Sequence, residues 1–148
     1  VPAVSLRYFT VYGPRQRPNM GFHRFLRAAH RGDPIALYGD GEQTRDFTFV
    51  ADAVSATVAA AHRGEPGAVY NIGGGSRVSV NQVLAIVERV VGRPLVLQRE
   101  EAQKGAMRDT YADSSRARAA IGFAPSYSLD QGLQAEYDWL RSVPELLS

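Results

Sequence analysis

Val1-Pro-Ala-Val-Ser-Leu-Arg-Tyr-Phe-Thr-Val-Tyr12 opens the sequence as a run rich in β-branched and aromatic residues, the composition of a β-strand. Its apolar side chains are almost continuous rather than alternating, the pattern of a strand covered on both faces in a parallel sheet. A central strand at the head of a chain predicts that the sequence continues a larger protein. Gly13-Pro14 ends the run. Residues 20–31 then carry Phe22, Phe25, Leu26 and Ala29 at the i, i+3, i+4, i+7 spacing of a helix face. Asn19 is placed as the N-cap and Gly32 as the stop.

Strands and helices keep alternating outward from there. Residues 35–38 read as a short strand, Gly39-Asp40-Gly41 as a turn, and residues 44–50 as a second extended stretch. A helix starting near Asp52 runs to Arg63, with Val54, Thr57, Val58 and Ala61 in register on one face. Residues 68–72 predict a buried strand, followed by the turn Gly73-Gly74-Gly75. Ser79-x-x-Gln82 and Ser128-x-x-Gln131 have the spacing of capping boxes, opening helices that reach Val91 and about Arg141. Residues 95–98 are strand-like, 100–108 a charged loop, and 115–121 a short helix. The reading is a single α/β unit over 1–148, without repeats or a linker long enough to divide it.

Composition narrows the function classes. The chain has 148 residues, 45% of them hydrophobic, enough for one core. Seventeen Lys plus Arg stand against fifteen Asp plus Glu, a formal charge of +2, so no nucleic-acid partner is expected. No apolar run reaches the roughly 18 residues of a membrane span, and no secretory leader opens the chain. The absence of Cys excludes thiolate catalysis and thiolate metal sites and fits a cytoplasmic location. His23, His30 and His62 are scattered, without the spacing of a zinc helix.

Several motifs carry possible chemistry. Gly73-Gly74-Gly75 lies between strand and helix, but it lacks the G-x-G-x-x-G spacing and reads as a turn rather than a phosphate cradle. No G-x-S-x-G or recognisable Ser/His/Asp set is present. Asp109 and Asp113 read as loop and helix-capping residues rather than a carboxylate pair. Arg15-Gln16-Arg17-Pro18-Asn19-Met20 is more informative, because it puts two guanidinium groups ahead of a helix N-terminus, where free N–H groups also favour anions. Arginine forks onto phosphate and carboxylate. Arg45, in Gln43-Thr44-Arg45-Asp46-Phe47, reads either as an anion clamp or as the ion-pair partner of Asp46.

These residues carry a resemblance. Leu6-Arg-Tyr-Phe-Thr-Val-Tyr-Gly-Pro-Arg-Gln-Arg-Pro-Asn-Met20 and Leu37-Tyr-Gly-Asp-Gly-Glu-Gln-Thr-Arg-Asp-Phe-Thr-Phe-Val50 resemble consecutive blocks of the extended short-chain dehydrogenase/reductases that act on nucleotide sugars. Tyr70-Asn-Ile-Gly-Gly-Gly75, Arg108-Asp-Thr-Tyr-Ala-Asp113 and Ser128-Leu-x-x-Gly-Leu133 resemble the blocks that follow. The likeness points to the NAD-dependent epimerase/dehydratase group, and within it to the C-terminal, substrate-binding portion. It implies the last strands of a Rossmann-type parallel sheet plus a small mixed α/β substrate domain. By the same resemblance Phe9 lies near the nicotinamide of NAD and Thr10 contacts the sugar. Asn19 and Met20 meet the diphosphate or uridine, Leu37 and Tyr38 border the uracil, and Arg45 clamps the diphosphate. Gln103 and Arg108 stand where a second diphosphate arginine is usual, while Gly105-Ala106 replaces the usual Gly-Asp. Thr10 with Arg17 in an Arg-Pro-Asn-Met frame is similar to the UDP-glucuronate 4-epimerases, whose cognate arginine meets the sugar carboxylate.

An absence limits the expectation. The family's acid/base pair is Tyr-x-x-x-Lys, in which Tyr moves the proton and Lys lowers its pKa. Lys104 is the single lysine here, and Glu100 stands four residues before it. The expected function is therefore the UDP-sugar side of an NAD-dependent 4-epimerase acting through a 4-keto intermediate, with catalytic residues outside the chain. The alternatives are part of a dehydratase or decarboxylase, or a non-catalytic fragment that binds and oligomerises through its opening strand. The expected partners are a UDP-sugar and either a second copy or an N-terminal half.

Overall fold

The computed structural model describes residues 2–75, 77–102, 105 and 107–147. Its β-strands are short, two to four residues each, and each pairs with one other strand among the described residues. The opening run divides into β1, Ser5–Tyr8, and β2, Val11–Tyr12. β3 is Ile35–Tyr38, β4 Thr44–Asp46, β5 Thr48–Phe49, β6 Val69–Ile72, β7 Arg77–Ser79 and β8 Leu97–Glu100. β1 pairs in parallel with β6, β2 with β5 and β3 with β8, whereas β4 and β7 are antiparallel. The switch from β1 to β2 falls at Phe9 and Thr10. The Phe9 N–H still reaches the Ile72 carbonyl at 2.9 Å, while the Thr10 carbonyl already accepts the Thr48 N–H at 3.0 Å. One strand by composition is thus two by pairing.

The opening strand is less covered than its apolar run predicts. Ser5, Arg7 and Tyr8 are exposed and only Leu6 is half-buried, because among the described residues β6 flanks one edge alone. The strand at 95–98 lies two residues later, at Leu97–Glu100. β7 was not expected. It is three residues long, and its last residue, Ser79, is also a helix cap.

The helices follow their end signals closely. α1 is Gly21–Arg31, α2 Val50–Arg63, α3 Val80–Val91, α4 Ser115–Ile121 and α5 Leu129–Ser142. Both capping boxes form, Ser79 with Gln82 and Ser128 with Gln131, each closed in both directions. At the start of α1 the N-cap is Met20 rather than Asn19, with no side-chain cap. Gly32 stops that helix in the left-handed conformation, φ 79°, donating to the carbonyls of Ala28 and Ala29. α2 corrects the expected face. Val54, Thr57, Val58 and Ala61 are exposed, and Ala53, Ala56 and Ala60 are buried instead. This helix has two apolar stripes, and the alanine stripe wins because its small side chains let it approach α4 closely, in a core shared with Tyr70 and Ile72 of β6.

Two cores result. The larger joins α1, α3 and α5 through Leu26, Val87, Leu133 and Leu140, all essentially without solvent contact, and adds Ile35 and Leu37 from β3. The smaller lies between α2, α4 and β6. Among the described residues no helix is long and apolar enough to cross a membrane.

Candidate functional site

β3 points alternate side chains inward and outward. Leu37 is 2% exposed and belongs to the core, while Tyr38 is 40% exposed at the strand end. Gly39 and Gly41 then turn the chain, with φ 70° and 76°. A Cβ on Gly41 would overlap the Asn81 amide, whose nitrogen donates to the Asp40 carbonyl at 3.0 Å. The turn leads into β4 and Arg45.

Arg45 donates from Nη1 to the carbonyls of Thr44 and Arg108, at 2.7 and 3.0 Å, and from Nη2 to that of Met107 at 2.6 Å. Guanidinium carries five N–H donors, so this stapling of the 107–108 segment leaves donor capacity over. Arg108 pairs with Asp40, Nη2 to Oδ2 at 3.0 Å. The Glu42 N–H and the Arg108 guanidinium hold the Asp40 carboxyl below its ordinary range, and the Asp40 bond raises Arg108. Tyr38, Asp40, Arg45, Met107 and Arg108 line a hollow of about 350 Å³. A second hollow, about 320 Å³, opens on the other side of Tyr38 against Gly21, Arg24 and Phe25 of α1. Tyr38 is the wall between them.

The structure thus brings Tyr38, Arg45 and Arg108 together. Asn19 is exposed and Met20 half-buried, directly before Gly21 of the second hollow. Phe9 and Thr10 sit at the strand switch, and Arg17 on the exposed loop ahead of α1. Among the described residues none of these three shares a hydrogen bond or ion pair with the arginine pair. Leu37 offers a ligand only its main chain, since its side chain is core. Gln103 and Lys104 lie outside the described residues.

Arg45 does not pair with Asp46. Strand alternation turns Asp46 the other way, where it is wholly buried and its Oδ2 accepts the Ala112 N–H at 3.1 Å. Burial raises its pKa, against the opposing effect of the N–H groups of Ala112, Gly74 and Gly75. The glycine turn packs on this carboxyl: a Cβ on Gly73 would lie 2.7 Å from Asp46 Oδ2, and one on Gly74 would overlap the Phe47 carbonyl. Gly73 and Gly74 are thus packed closely against Asp46 and Phe47, as a turn. Asp109 accepts the Thr44 hydroxyl at 2.5 Å and Asp113 the Ser115 N–H at 2.9 Å. Both serve the loop and the start of α4, as expected.

Of the buried acids beneath the site, the sequence offered Asp46 only as a partner for Arg45 and gave no sign of Glu136, which holds the Gly13 N–H. The described residues contain no group of three or more metal-ligating side chains.

The profile of the NAD dependent epimerase/dehydratase family matches residues 1–73. The uncharacterized UDP-glucose epimerase YtcB of Bacillus subtilis is 40% identical over 144 residues, covering 97% of this chain and 46% of the relative. UDP-glucuronate 4-epimerase of Thermodesulfobacterium geofontis is 35% identical over 143 residues, covering 96% and 44%. In three dimensions the chain is similar to UDP-glucuronic acid 4-epimerase from Bacillus cereus, a complex with UDP-glucuronic acid and NAD. The TM-score is 0.91 at 40% identity, over 97% of this chain and 46% of that one. The chain spans about half the length of the curated relatives it matches. Its mixed α/β fold, with parallel strand pairs, is that of the C-terminal half of such structures. Residues 1–73 match the NAD dependent epimerase/dehydratase family, and over nearly its whole length the chain is similar to about half the length of the epimerases above.

Proposed function

We propose that this chain forms the nucleotide-sugar side of the cleft in an NAD-dependent UDP-sugar 4-epimerase. The observation that carries the reading is the convergence of Arg45 and Arg108 with Tyr38 on one hollow. Two hollows sharing an aromatic wall suit a nucleoside diphosphate: the base lies along β3 against Tyr38, and the diphosphate reaches the arginines. Arg45 is already fixed by three carbonyls, so little side-chain freedom is lost when it meets an anion. Arg108 must give up Asp40 to do the same. Thr10 and Arg17 receive the sugar, where a hydroxyl and a guanidinium together hold a C6 carboxylate. Bound NAD would supply a reversible hydride acceptor for the sugar C4, giving the 4-keto intermediate, with Phe9 as this chain's contribution beside it. The acid/base Tyr and Lys lie outside the sequence, so the isolated chain is expected to turn over no UDP-sugar. Epimerisation by the purified chain above a heat-killed control would contradict that.

Calorimetric titration of two ligands tests the assignment. Arg45→Ala is expected to weaken UDP-glucuronate and UDP-glucose alike, by about 1.5–3 kcal/mol for a lost charged hydrogen bond. Arg17→Ala should weaken UDP-glucuronate and leave UDP-glucose unchanged, because only the hexuronate has a charge at C6. Equal weakening of both sugars by Arg17→Ala would remove the glucuronate assignment and leave a UDP-hexose site.

One face favours association as well. β1 is exposed along most of its length, and Val54 and Val58 of α2 are 56% and 52% exposed. An open strand edge and an apolar face invite pairing. We therefore expect the chain alone to sediment as an oligomer at high concentration; a clean monomer would count against this.

A further inference from the structure

Under the arginine-bearing loop lies an acid that none of the proposed ligand contacts uses. Glu136 of α5 is completely buried. Its Oε2 accepts the Gly13 N–H at 3.1 Å, and Oε1 has no partner among the described residues. Tyr12 and Gly13, which lead the chain out of β2, are docked on successive turns of α5. The Tyr12 phenol lies so close to Gly132 that a Cβ there would overlap it, and Gly13 is held by Glu136 one turn later. On its other side Gly13 is closed in by Val50 and Phe49, which a Cβ would approach to 2.7 and 2.9 Å, and its φ is 134°. Gly13 has one position.

From that point the loop is built in fixed steps. The Gln16 N–H donates to the Gly13 carbonyl at 3.0 Å. The Gln16 side chain then spans from the Val11 carbonyl to the His23 N–H, at 3.3 and 3.1 Å. The Met20 N–H closes a turn on the Arg17 carbonyl at 3.0 Å. The placement of Arg17 and Asn19 therefore traces back to Gly13.

We propose that Glu136 is a positioning residue, which fixes the root of the 14–20 loop and so sets where Arg17 and Asn19 stand at the ligand cleft. The proposal rests on the reading of that cleft as a UDP-sugar site. Glu136 acts as a neutral acid, since burial pushes its carboxyl up to about 8. The other charges acting on the adjoining Tyr12, Asp52 of α2 and Asp130 of α5, are acidic too, so they do nothing to stabilise an ionised Glu136.

Amide NMR on the ¹⁵N-labelled chain tests the anchor independently of any ligand. The Gly13 amide resonance should titrate with a midpoint near pH 8. In Glu136→Gln it should lose that titration and keep its protection. In Glu136→Ala the Gly13 and Gln16 amides should exchange at least about tenfold faster, for a lost hydrogen bond of about 1.4 kcal/mol, while Leu84 and Val87 of α3 keep theirs. If α3 protection is lost as well, the variant has unfolded and the Gln titration decides. UDP-glucuronate affinity should fall about tenfold or more in Glu136→Ala and return in Glu136→Gln. A Gly13 amide that neither titrates nor exchanges faster overturns the anchor. Amides that respond while affinity stays unchanged overturn its role in the site. An unmodified chain that does not bind UDP-glucuronate overturns the reading of the cleft, and the amide responses still decide the anchor.

Discussion

Alanine at position 74 is expected to cost roughly 3–5 kcal/mol, enough to leave much of the chain unfolded at 25 °C, because its Cβ would overlap a main-chain oxygen. That oxygen is the Phe47 carbonyl, between β4 and β5, and it cannot swing aside as a side-chain end would. Beside it Asp46 is wholly buried, with its Oδ2 on the Ala112 N–H. Displacing the turn would strip this carboxyl of the Gly74 and Gly75 N–H groups that offset its burial. Gly21→Ala is the contrast. A Cβ on Gly21 meets nothing within 4 Å, and the residue opens α1, so this change should be neutral or stabilise by about 0.5 kcal/mol. Urea denaturation followed by circular dichroism compares the two. Equal midpoints for Gly74→Ala and the unmodified chain would mean that the turn is not packed as described.

Glu136 gives the second large effect, on stability against pH. Its carboxyl titrates at the ordinary 4.5 when unfolded and at about 8 when folded, so the folded chain keeps a proton that the unfolded chain has released. Stability is lost as pH rises from 4.5 towards 8 and then levels off. At 1.36 kcal/mol per pKa unit the whole loss is on the order of 5 kcal/mol, of which about 4 kcal/mol falls between pH 5 and pH 8.5. Glu136→Gln has no such proton. Its stability relative to the parent chain should therefore increase by about that amount between pH 5 and pH 8.5, the other titrating groups cancelling in the difference. Parallel urea midpoints at both pH values would show that Glu136 is solvated in the folded chain.

What could be read ahead of the structure depended on how local each signal was. The two capping boxes, the Gly32 stop and the whole of α4 were legible because three or four adjacent residues decide them. The face of α2 was not, because periodicity cannot choose between a valine stripe and an alanine stripe when close approach to α4 is the deciding quantity. Nor was the break at Phe9 and Thr10 legible, since an apolar run does not show that β2 leaves for β5. At the site, Tyr38 and Arg45 could be picked out through the likeness of their block. Asp40 as the partner of Arg108 could not, as the two stand 68 residues apart. Asp46 was misleading for the opposite reason: it adjoins Arg45 in sequence, and the strand turns the two apart. Glu136 carries no sequence signal at all. A lone glutamate within an amphipathic helix reads as surface until Gly13, 123 residues earlier, is seen to donate to it.

The central claim is that Tyr38, Arg45 and Arg108 form one nucleotide-sugar site, and backbone-amide shift mapping with UDP-glucuronate tests it most directly. Saturable perturbations are expected in residues 37–45 and 107–110, extending to 17–25 on the far side of Tyr38. Free UDP should reproduce those at 37–45 and 107–110, because the nucleotide and diphosphate make those contacts. Perturbations confined to other surfaces, or none at millimolar ligand, would contradict it.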